Sequence, residues 1–286
     1  MVSPITKSQN VSLVTEIDKN IVIQNYKDEC NIDVSRYFAD VDNIKIYKCE
    51  DTGYKFYYPL NLSGDAVFYE DLQKNLDSYY SVWKWENKIA LKQIKKTDKV
   101  LDVGCGSGKF LEKLAELNID CFGLEFNDNA IVECLKKGYD VKKQSVEEHS
   151  KDFKNFYDVV CHFQVLEHIV EPQEFIADCI KLLKPGGKLI VGVPNNNPFL
   201  FKNDKFHTLN LPPHHMGLWS KEALAALGKF NNLEIEKIVV EPLYNISHYL
   251  YINHGLPKDI GIYMNKLKPL AHLKDGRNVV AIFKKR

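Results

Sequence analysis

Two adjacent histidines follow two adjacent prolines in the segment FHTLNLPPHHMGLWS, at residues 206–220. Proline fixes φ and removes a backbone donor, so the two prolines predict a stiff, extended segment that holds His214 and His215 in place. Because neighbouring side chains of an extended segment point to opposite sides, we expect at most one imidazole to reach a ligand, and we prefer His215. An imidazole that titrates near neutral pH is suited to general-base catalysis. Capping or packing before the next helix is the alternative role for the pair.

A glycine-rich loop, VLDVGCGSGKF, lies between a predicted strand and a predicted helix. Gly104, Gly106 and Gly108 allow a tight turn and let a ligand approach the helix N-terminus. The third glycine comes one residue earlier than in the G-x-G-x-x-G pattern of dehydrogenases, and Asp102 precedes the loop. That acid would repel a pyrophosphate but favours a cofactor with an ammonium group. A second acid, Glu125, ends the next predicted strand, where a carboxylate can accept both hydroxyls of a ribose.

The elements that position these residues follow from the apolar pattern. From residue 99 onwards, short apolar runs alternate with helical stretches, which predicts a doubly wound α/β fold whose sheet is mainly parallel and covered on both faces. We therefore assign a main domain to residues 99–286 and a helical connector or lid to residues 65–98. Residues 1–64 are rich in tyrosine and predict a small module with a β-hairpin. Residues 245–275 form an insert between the last two predicted strands, which we expect to cover a site or a partner.

The composition limits the classes of partner. Lys plus Arg and Asp plus Glu each number 38, so the whole-chain charge gives no reason to expect nucleic acid or anionic lipid. We expect a small-molecule acceptor as the partner, with a homodimer through the N-terminal module or the insert as a possibility. The start of the chain lacks a signal-peptide pattern, and no apolar run reaches the roughly 18 residues of a membrane helix, so we expect a cytoplasmic protein. Seven scattered cysteines suggest free thiols.

The motifs VLDVGCGSG, LEF, YDVVCHFQVLEHI and LLKPGGKLIVGVPN occur here in the order and at the spacing of the class I S-adenosylmethionine-dependent methyltransferases. The chain resembles that family over about residues 99–286. The resemblance implies a Rossmann-like sheet of seven strands, S-adenosyl-L-methionine as the cofactor, and methyl transfer as the activity.

The resemblance also implies roles for particular residues. In the family, the first motif holds the methionine end of the cofactor, the acid that matches Glu125 holds the ribose, and the next residue lies against the adenine. Ser145 and Val146 stand where the family often has Asp-Ala, which makes that contact to the adenine weaker here. The implied cofactor site consists of Asp102, Gly104, Cys105, Gly106, Gly108, Glu125, Phe126, Ser145, Val146, Phe163 and Gln164, together with Tyr80 in the predicted lid.

The N-terminal module is similar to the zinc ribbon that precedes the catalytic domain in a subset of these enzymes. A zinc site needs about four ligands, whereas this module has Cys30 and Cys49 alone, with Thr52 where a paired cysteine would stand. We therefore expect the zinc ribbon to be degenerate and the hairpin to depend on its aromatic residues.

Three histidines are candidates for the catalytic base: His215, His214, and His168 in the LEHI motif, for which a structural role is an alternative. The NLPPHH segment also occurs in methyltransferases associated with bacterial surface sugars, so we expect a sugar or sugar-linked hydroxyl as the acceptor. An N-methyltransferase, a quinone or phenol O-methyltransferase, and a cofactor-binding partner protein without catalysis are the alternatives. His207, His214 and His215 could converge on a metal, but only Asp204 offers a carboxylate nearby, and we assign no metal ligands.

Overall fold

The computed structural model describes residues 1–76, 83–196, 207–243 and 275–286. In the N-terminal part the elements are β1 (Val11–Asp18), α1 (Lys19–Cys30), β2 (Asn43–Cys49), β3 (Lys55–Tyr58), α2 (Ala66–Asn75) and α3 (Trp85–Leu91). In the main domain they are β4 (Lys99–Val103), α4 (Lys109–Glu116), β5 (Asp120–Leu124), α5 (Asp128–Lys136), β6 (Val141–Lys142), α6 (Val146–Asp152), β7 (Tyr157–Phe163), α7 (Pro172–Leu182), β8 (Leu183–Pro194), β9 (Gly217–Leu218), α8 (Lys221–Phe230), β10 (Glu234–Pro242) and β11 (Asp275–Lys284).

A seven-stranded sheet with the order β10-β11-β8-β7-β4-β5-β6 forms the main domain. Strands β8, β7, β4, β5 and β6 are parallel, and β11 is antiparallel to both β8 and β10. The predicted doubly wound, mainly parallel α/β fold is therefore confirmed. Strand order reverses between β4 and β7, and open α/β sheets bind ligands at the carboxyl ends of the strands at such a point. The expected ligand position lies after Val103 and Phe163.

The core lies on both faces of this sheet. Leu101 and Val160 belong to one buried apolar cluster, whereas Val100 and Val159 belong to another on the opposite face. Successive strand residues point to opposite faces, so both sets are covered by helices and the strands are almost continuously apolar. This arrangement fixes the strand ends from which the site is built.

A second sheet, with the order β1-β2-β3-β9, forms the N-terminal module. The predicted hairpin is confirmed as β2 and β3, which pair antiparallel. Strand β1 and helix α1 were not predicted. Asp18 caps α1 by accepting a hydrogen bond from the Asn20 N–H. Strand β9 comes from the main domain and pairs with β3 directly after the two histidines. The module is therefore joined to the segment that carries them.

Several predicted features cannot be compared with the structure in full. The helical connector contains α2 and α3, but residues 77–82 between them, including Tyr80, lie outside the described residues. Nearly all of the predicted insert, up to residue 274, also lies outside them. The seven cysteines are free thiols. In the described ranges, no helix combines the length and the apolar character needed to span a membrane.

Candidate active site

The glycine loop turns sharply between β4 and α4. Gly104, Gly106 and Gly108 have φ values of 73°, 54° and 78°, in the left-handed region that glycine adopts at little cost. A Cβ at position 104 would lie 2.5 Å from Cγ2 of Val165, so no side chain fits there. The loop therefore leaves its backbone open at the end of β4, and Gly108 stands directly before α4.

Glu125 joins this loop to the segment after β5. Its Oε2 accepts a hydrogen bond from the Gly106 N–H at 2.8 Å, and Oε1 accepts from the N–H groups of Phe126 and Asn127 at 2.7 and 2.9 Å. Because a carboxylate oxygen has two acceptor sites, Oε2 keeps a site for a further donor such as a ribose hydroxyl. The acid predicted from the sequence is thus held at the edge of the loop.

A cavity of about 510 Å³ lies beside Glu125. Phe126 is 63% exposed and forms part of its wall, together with Ser145 and Val146. Ser145 also caps α6 by accepting a hydrogen bond from the Glu148 N–H. An exposed aromatic ring and a nearby acid that can accept hydroxyls suit the adenosine part of a cofactor.

A second cavity, of about 470 Å³, lies on the other side of the loop. Gly104, Gln164 and His168 line both cavities, so the two spaces meet at these residues. The predicted residues in the wall of the second cavity are Asp102, Gly104, Cys105, Gly106, Phe163 and Gln164. Gln164 has φ 57°, which is uncommon for a residue with a Cβ and often marks a functional position.

Buried carboxyl groups line this second cavity and determine which ligand charge it favours. Asp102 is almost fully buried, and this burial raises its pKa to about 8. Burial also raises the pKa of Glu86, whose Oε1 accepts a hydrogen bond from Gln164 Nε2 at 2.8 Å. Oε2 of Glu86 has no hydrogen-bond partner among the described residues. Two buried acids in the wall of one cavity fit a cationic ligand, and the ammonium group of S-adenosyl-L-methionine is such a ligand.

Sequence reasoning missed Glu86, because α3 lies outside the motifs that point to a cofactor. Asn278 was also missed. It lies in β11 and lines the same cavity, with Oδ1 3.4 Å from Gln164 Nε2. No local pattern marks either residue, since they reach the cavity only through the packing of α3 and β11 against the sheet.

The two predicted histidines lie in a turn. The N–H groups of His214 and His215 both donate to the Leu211 carbonyl, at 3.1 and 3.2 Å, after a short 3-10 turn at Thr208–Asn210. The expectation of an extended segment was therefore wrong. Residues in a turn do not alternate between two sides, and the two rings stack with centroids 4.5 Å apart. Both rings line the second cavity, and which of them reaches an acceptor stays a prediction.

His168 completes a cluster with these two residues. It follows β7, and its ring centroid lies 4.6 Å from that of His214 and 4.9 Å from that of His215. One ring nitrogen from each of the three lies within 4.8 Å of the others. The three predicted catalytic candidates thus meet, whereas His207 lines the cavity outside this group.

The imidazoles are held in their neutral form. Burial lowers the pKa of His168 to about 4. Burial, and repulsion by the neighbouring imidazoles, lower the pKa values of His214 and His215 well below the usual value. Neutral rings keep one nitrogen lone pair each, but they are weak bases.

Glu167 lies against the cluster and was missed by the sequence analysis, which considered only the histidine of the LEHI motif. Its side chain is fully buried, and Oε1 lies 4.0 Å from Nε2 of His168 and of His215. Neither carboxylate oxygen has a hydrogen-bond partner among the described residues. Burial raises the pKa of Glu167 to about 8.

The N-terminal module holds the histidine turn in place. The Tyr26 hydroxyl donates to the Leu211 carbonyl at 2.9 Å, and the Tyr57 hydroxyl donates to the Asn210 carbonyl at 2.8 Å. The Gly64 N–H donates to the Pro213 carbonyl at 2.8 Å. The module therefore contributes to the site by fixing the backbone on which His214 and His215 stand.

Comparison with known proteins agrees with this geometry. A family model described as "Methyltransferase domain" matches residues 74–238. The "Ubiquinone biosynthesis O-methyltransferase" of Erwinia tasmaniensis is 36% identical over 105 residues, which cover 35% of this chain and 43% of that protein. The protein of the same name from Proteus mirabilis is 32% identical over 124 residues, which cover 40% of this chain and 51% of that protein. The chain thus spans about half the length of the curated relatives it matches.

Solved structures show the same fold. The crystal structure of a SAM-dependent methyltransferase from Archaeoglobus fulgidus has a TM-score of 0.57 at 21% identity, covering 77% of this chain and 100% of that one. A putative methyltransferase from Haloferax volcanii, in complex with the Trm112 activator, has a TM-score of 0.53 at 14% identity and covers 74% of this chain and 92% of that one. Because the family model matches more than half of the residues, the chain belongs to the methyltransferase-domain family, within the class I methyltransferases whose cofactor is S-adenosyl-L-methionine.

Proposed function

We propose that the chain transfers a methyl group from S-adenosyl-L-methionine to a hydroxyl oxygen of a small-molecule acceptor. The observation that carries this proposal is the common cavity of the glycine loop and the histidine cluster: Gly104 and Gly106 line the same space as His168, His214 and His215. A cofactor held by the loop therefore has lone-pair nitrogens beside it, where an acceptor can be oriented.

Different residues of the chain face the two ends of the cofactor. Glu125 and Phe126 face the cavity for the adenosine, and Asp102 and Glu86 face the cavity for the methionine end. Gly104, Gln164 and His168 lie between the two ends. Alignment of donor and acceptor supplies much of the rate in such a displacement.

The reaction requires the acceptor to lose a proton. When bound, the cofactor supplies a methyl group on a positive sulfonium; the O–CH₃ bond forms, and the electron pair of the S–CH₃ bond stays on sulfur. An alcohol must lose its proton in this step, which a positioned base can take. We assign this role first to His215, then to His214 and His168. Their lowered pKa values make them weak bases, so the acceptor needs further acidification.

A polar acceptor is favoured by the lining of the second cavity. Lys84, Asn210 and Asn278 line it together with the histidines, and such groups suit a ligand with several hydroxyls, such as a sugar or a sugar-linked metabolite. A phenolic or quinol hydroxyl is the second candidate, because the curated relatives are named ubiquinone biosynthesis O-methyltransferases.

The test is the uptake of methyl label from the labelled cofactor by a panel of sugar, phenol and amine acceptors. Label in an oxygen ether supports the proposal, whereas label in amines alone contradicts it. Calorimetry with S-adenosylhomocysteine is the companion measurement. Binding without transfer to any acceptor would favour a cofactor-binding protein without catalysis, and the absence of binding would contradict both functions.

A further inference from the structure

We propose that His168, His214 and His215 are ligands of a divalent transition-metal ion, and that the carboxylate of Glu167 completes the donor set. The proposal stands on the convergence of one ring nitrogen from each of the three residues within 4.8 Å. They come from two separate segments, one after β7 and the other before β9, that meet at the wall of the second cavity.

The hydrogen bonds of the rings set which nitrogen faces the proposed ion. His168 Nδ1 lies 2.6 Å from the His214 carbonyl, and His214 Nδ1 lies 2.8 Å from the Leu209 carbonyl. His215 Nδ1 lies 3.2 Å from Oδ1 of Asn210. Because these oxygens only accept, they favour the tautomer in which each Nδ1 carries the hydrogen and Nε2 carries the lone pair of the neutral ring. The Tyr69 hydroxyl, 3.2 Å from Nδ1 of His168, can accept from that nitrogen as well. Metal-binding histidines characteristically donate their other N–H to an oxygen in this way.

The partner of His215 is itself fixed. Asn210 donates through Nδ2 to Oδ1 of Asn196 at 2.9 Å, which orients its own Oδ1 towards the ring. Both asparagines are buried. The carbonyl of Asn210 also accepts from the Tyr57 hydroxyl. The imidazole orientation is thus built by a chain of hydrogen bonds from the N-terminal module.

Glu167 is the second, independent observation. Its carboxylate is fully buried, lies 4.0 Å from two of the Nε2 atoms, and has no hydrogen-bond partner among the described residues. A buried carboxylate without a partner is costly unless a cation compensates it. A dication held between the three imidazoles would compensate that charge.

The donor set selects the class of metal. Magnesium and calcium prefer oxygen ligands, whereas imidazole suits zinc, iron, cobalt, nickel and copper. Three histidines with one carboxylate therefore indicate a zinc-like ion. This differs from a magnesium site built from carboxylates, and the ligand residues differ from the His207, His214 and His215 set that the sequence suggested.

The role of this ion in catalysis rests on the proposed function. With the ion bound, the imidazole lone pairs are used as ligands, so the histidines act through the metal in place of a general base: a metal ion lowers the pKa of an oxygen ligand. An acceptor hydroxyl that adds to the ion as a fifth ligand loses its proton to water. Its oxygen then forms the bond to the methyl carbon, and the S–CH₃ electron pair leaves with the sulfur. No oxidant or reductant is needed.

The experiment uses the full chain stripped with a chelator and titrated with Zn²⁺, with Co²⁺ as a spectroscopic probe. We expect one ion per chain and the visible absorption bands of Co²⁺ with nitrogen and oxygen ligands. His168→Ala, His214→Ala and His215→Ala should each weaken Zn²⁺ binding by about 100-fold or more, and Glu167→Gln by about tenfold. His207→Ala, in the same cavity but outside the cluster, is the matched control and should bind Zn²⁺ like the wild type.

Circular dichroism of every variant distinguishes lost ligands from lost folding. The proposal is overturned if the folded wild type binds no stoichiometric Zn²⁺, or if the three alanine variants bind it as tightly as the wild type. S-adenosylhomocysteine binding and methyl transfer are measured on the same samples. Methyl transfer without bound metal would leave the proposed function standing and the metal site refuted, and stoichiometric Zn²⁺ without transfer would do the reverse.

Discussion

The two sides of the active-site cleft are built in different ways. On the cofactor side, the glycine loop and the acid that faces the ribose come from one continuous stretch, from β4 to Glu125 after β5, and packing adds Glu86 and Gln164 to it. On the histidine side, the cluster needs His168 after β7, His214 and His215 in a turn before β9, and tyrosines from the N-terminal module. Tyr26 is 185 residues from the carbonyl to which it donates. Local sequence determines the glycine loop and Glu125, whereas the histidine cluster depends on long-range packing.

This difference suggests a division of function. The cofactor side uses the glycine loop and the carboxyl groups of Asp102, Glu125 and Glu86, which suits a ligand common to many enzymes. The histidine side uses side chains held by a separate module, which can change without disturbing the glycine loop. We therefore expect substitutions on one side to leave the binding on the other side nearly unchanged, and the following predictions test that independence.

The largest expected effect is on the cofactor side, with Glu125→Ala. The substitution removes the acceptor for ribose hydroxyls and the hydrogen bonds to the N–H groups of Gly106 and Phe126. Hydrogen bonds to a charged group contribute about 1.5–3 kcal/mol each, so affinity for S-adenosylhomocysteine should fall by about 100-fold. Calorimetry measures this, with Glu147→Ala, an exposed glutamate on α6, as the control. An unchanged affinity would mean that Glu125 does not contact the ribose.

The next effect is on the histidine side, with the double variant His214→Ala/His215→Ala. We expect the turnover of hydroxyl acceptors to fall by about 100-fold, because proton removal or metal activation is lost. Affinity for S-adenosylhomocysteine should stay within about threefold of the wild type. Label transfer and calorimetry on the same preparation give both values. Full activity on hydroxyl acceptors would refute the catalytic assignment, and a large loss of cofactor affinity would contradict the independence of the two sides.

A smaller effect concerns a buried histidine behind the cofactor side. His149 stacks on Phe153, with Nε2 2.8 Å from the Tyr157 hydroxyl, and burial lowers its pKa to about 4. Because its pKa is lower in the folded state than in the unfolded chain, stability is lost as the pH falls from about 6.5 towards 4. We expect this residue to contribute a loss of about 2 kcal/mol between pH 7 and pH 5.

The measurement is urea unfolding at pH 7 and pH 5 for the wild type and His149→Gln. The variant should lose less stability on acidification than the wild type, although it starts from a lower value at pH 7. An equal loss in both proteins would show that His149 is not the group that titrates. Cofactor affinity is also measured for His149→Gln at pH 7. A change would show that the substitution has displaced α6, whose capping residue Ser145 lies beside the cavity.

The sequence was informative where chemistry and local pattern coincide. The alternation of apolar runs predicted the sheet, and the glycine spacing with Asp102 and Glu125 predicted the loop, because these features depend on residues close in the chain. The turn at the prolines was not predicted, since the hydrogen bonds of His214 and His215 to Leu211 have no sequence signature. Glu86 and Glu167 were not predicted as site residues for a different reason. They are buried, and within the described part of the chain Oε2 of Glu86 and both carboxylate oxygens of Glu167 have no hydrogen-bond partner, which only the packed structure shows.

The smallest expected effect concerns Tyr57 of the N-terminal module. Tyr57 donates its hydroxyl to the Asn210 carbonyl, and its own N–H donates to the Met216 carbonyl, so it holds the histidine turn from both sides. Tyr57→Phe leaves the ring in place but removes one buried hydrogen bond, which contributes about 1 kcal/mol. We expect a loss of about that size in urea unfolding, and turnover reduced severalfold by a looser cluster.

Tyr58→Phe is the matched control, because the neighbouring ring is 38% exposed on the other face of β3. If Tyr57 acts by positioning the turn, its variant should lower turnover and weaken Zn²⁺ binding while cofactor affinity stays constant. If it only stabilises the fold, turnover and Zn²⁺ affinity will match those of the control at temperatures where both proteins are folded. A fall in cofactor affinity in Tyr57→Phe would contradict the independence of the two sides. It would show that the module on which the histidines depend also supports the glycine loop.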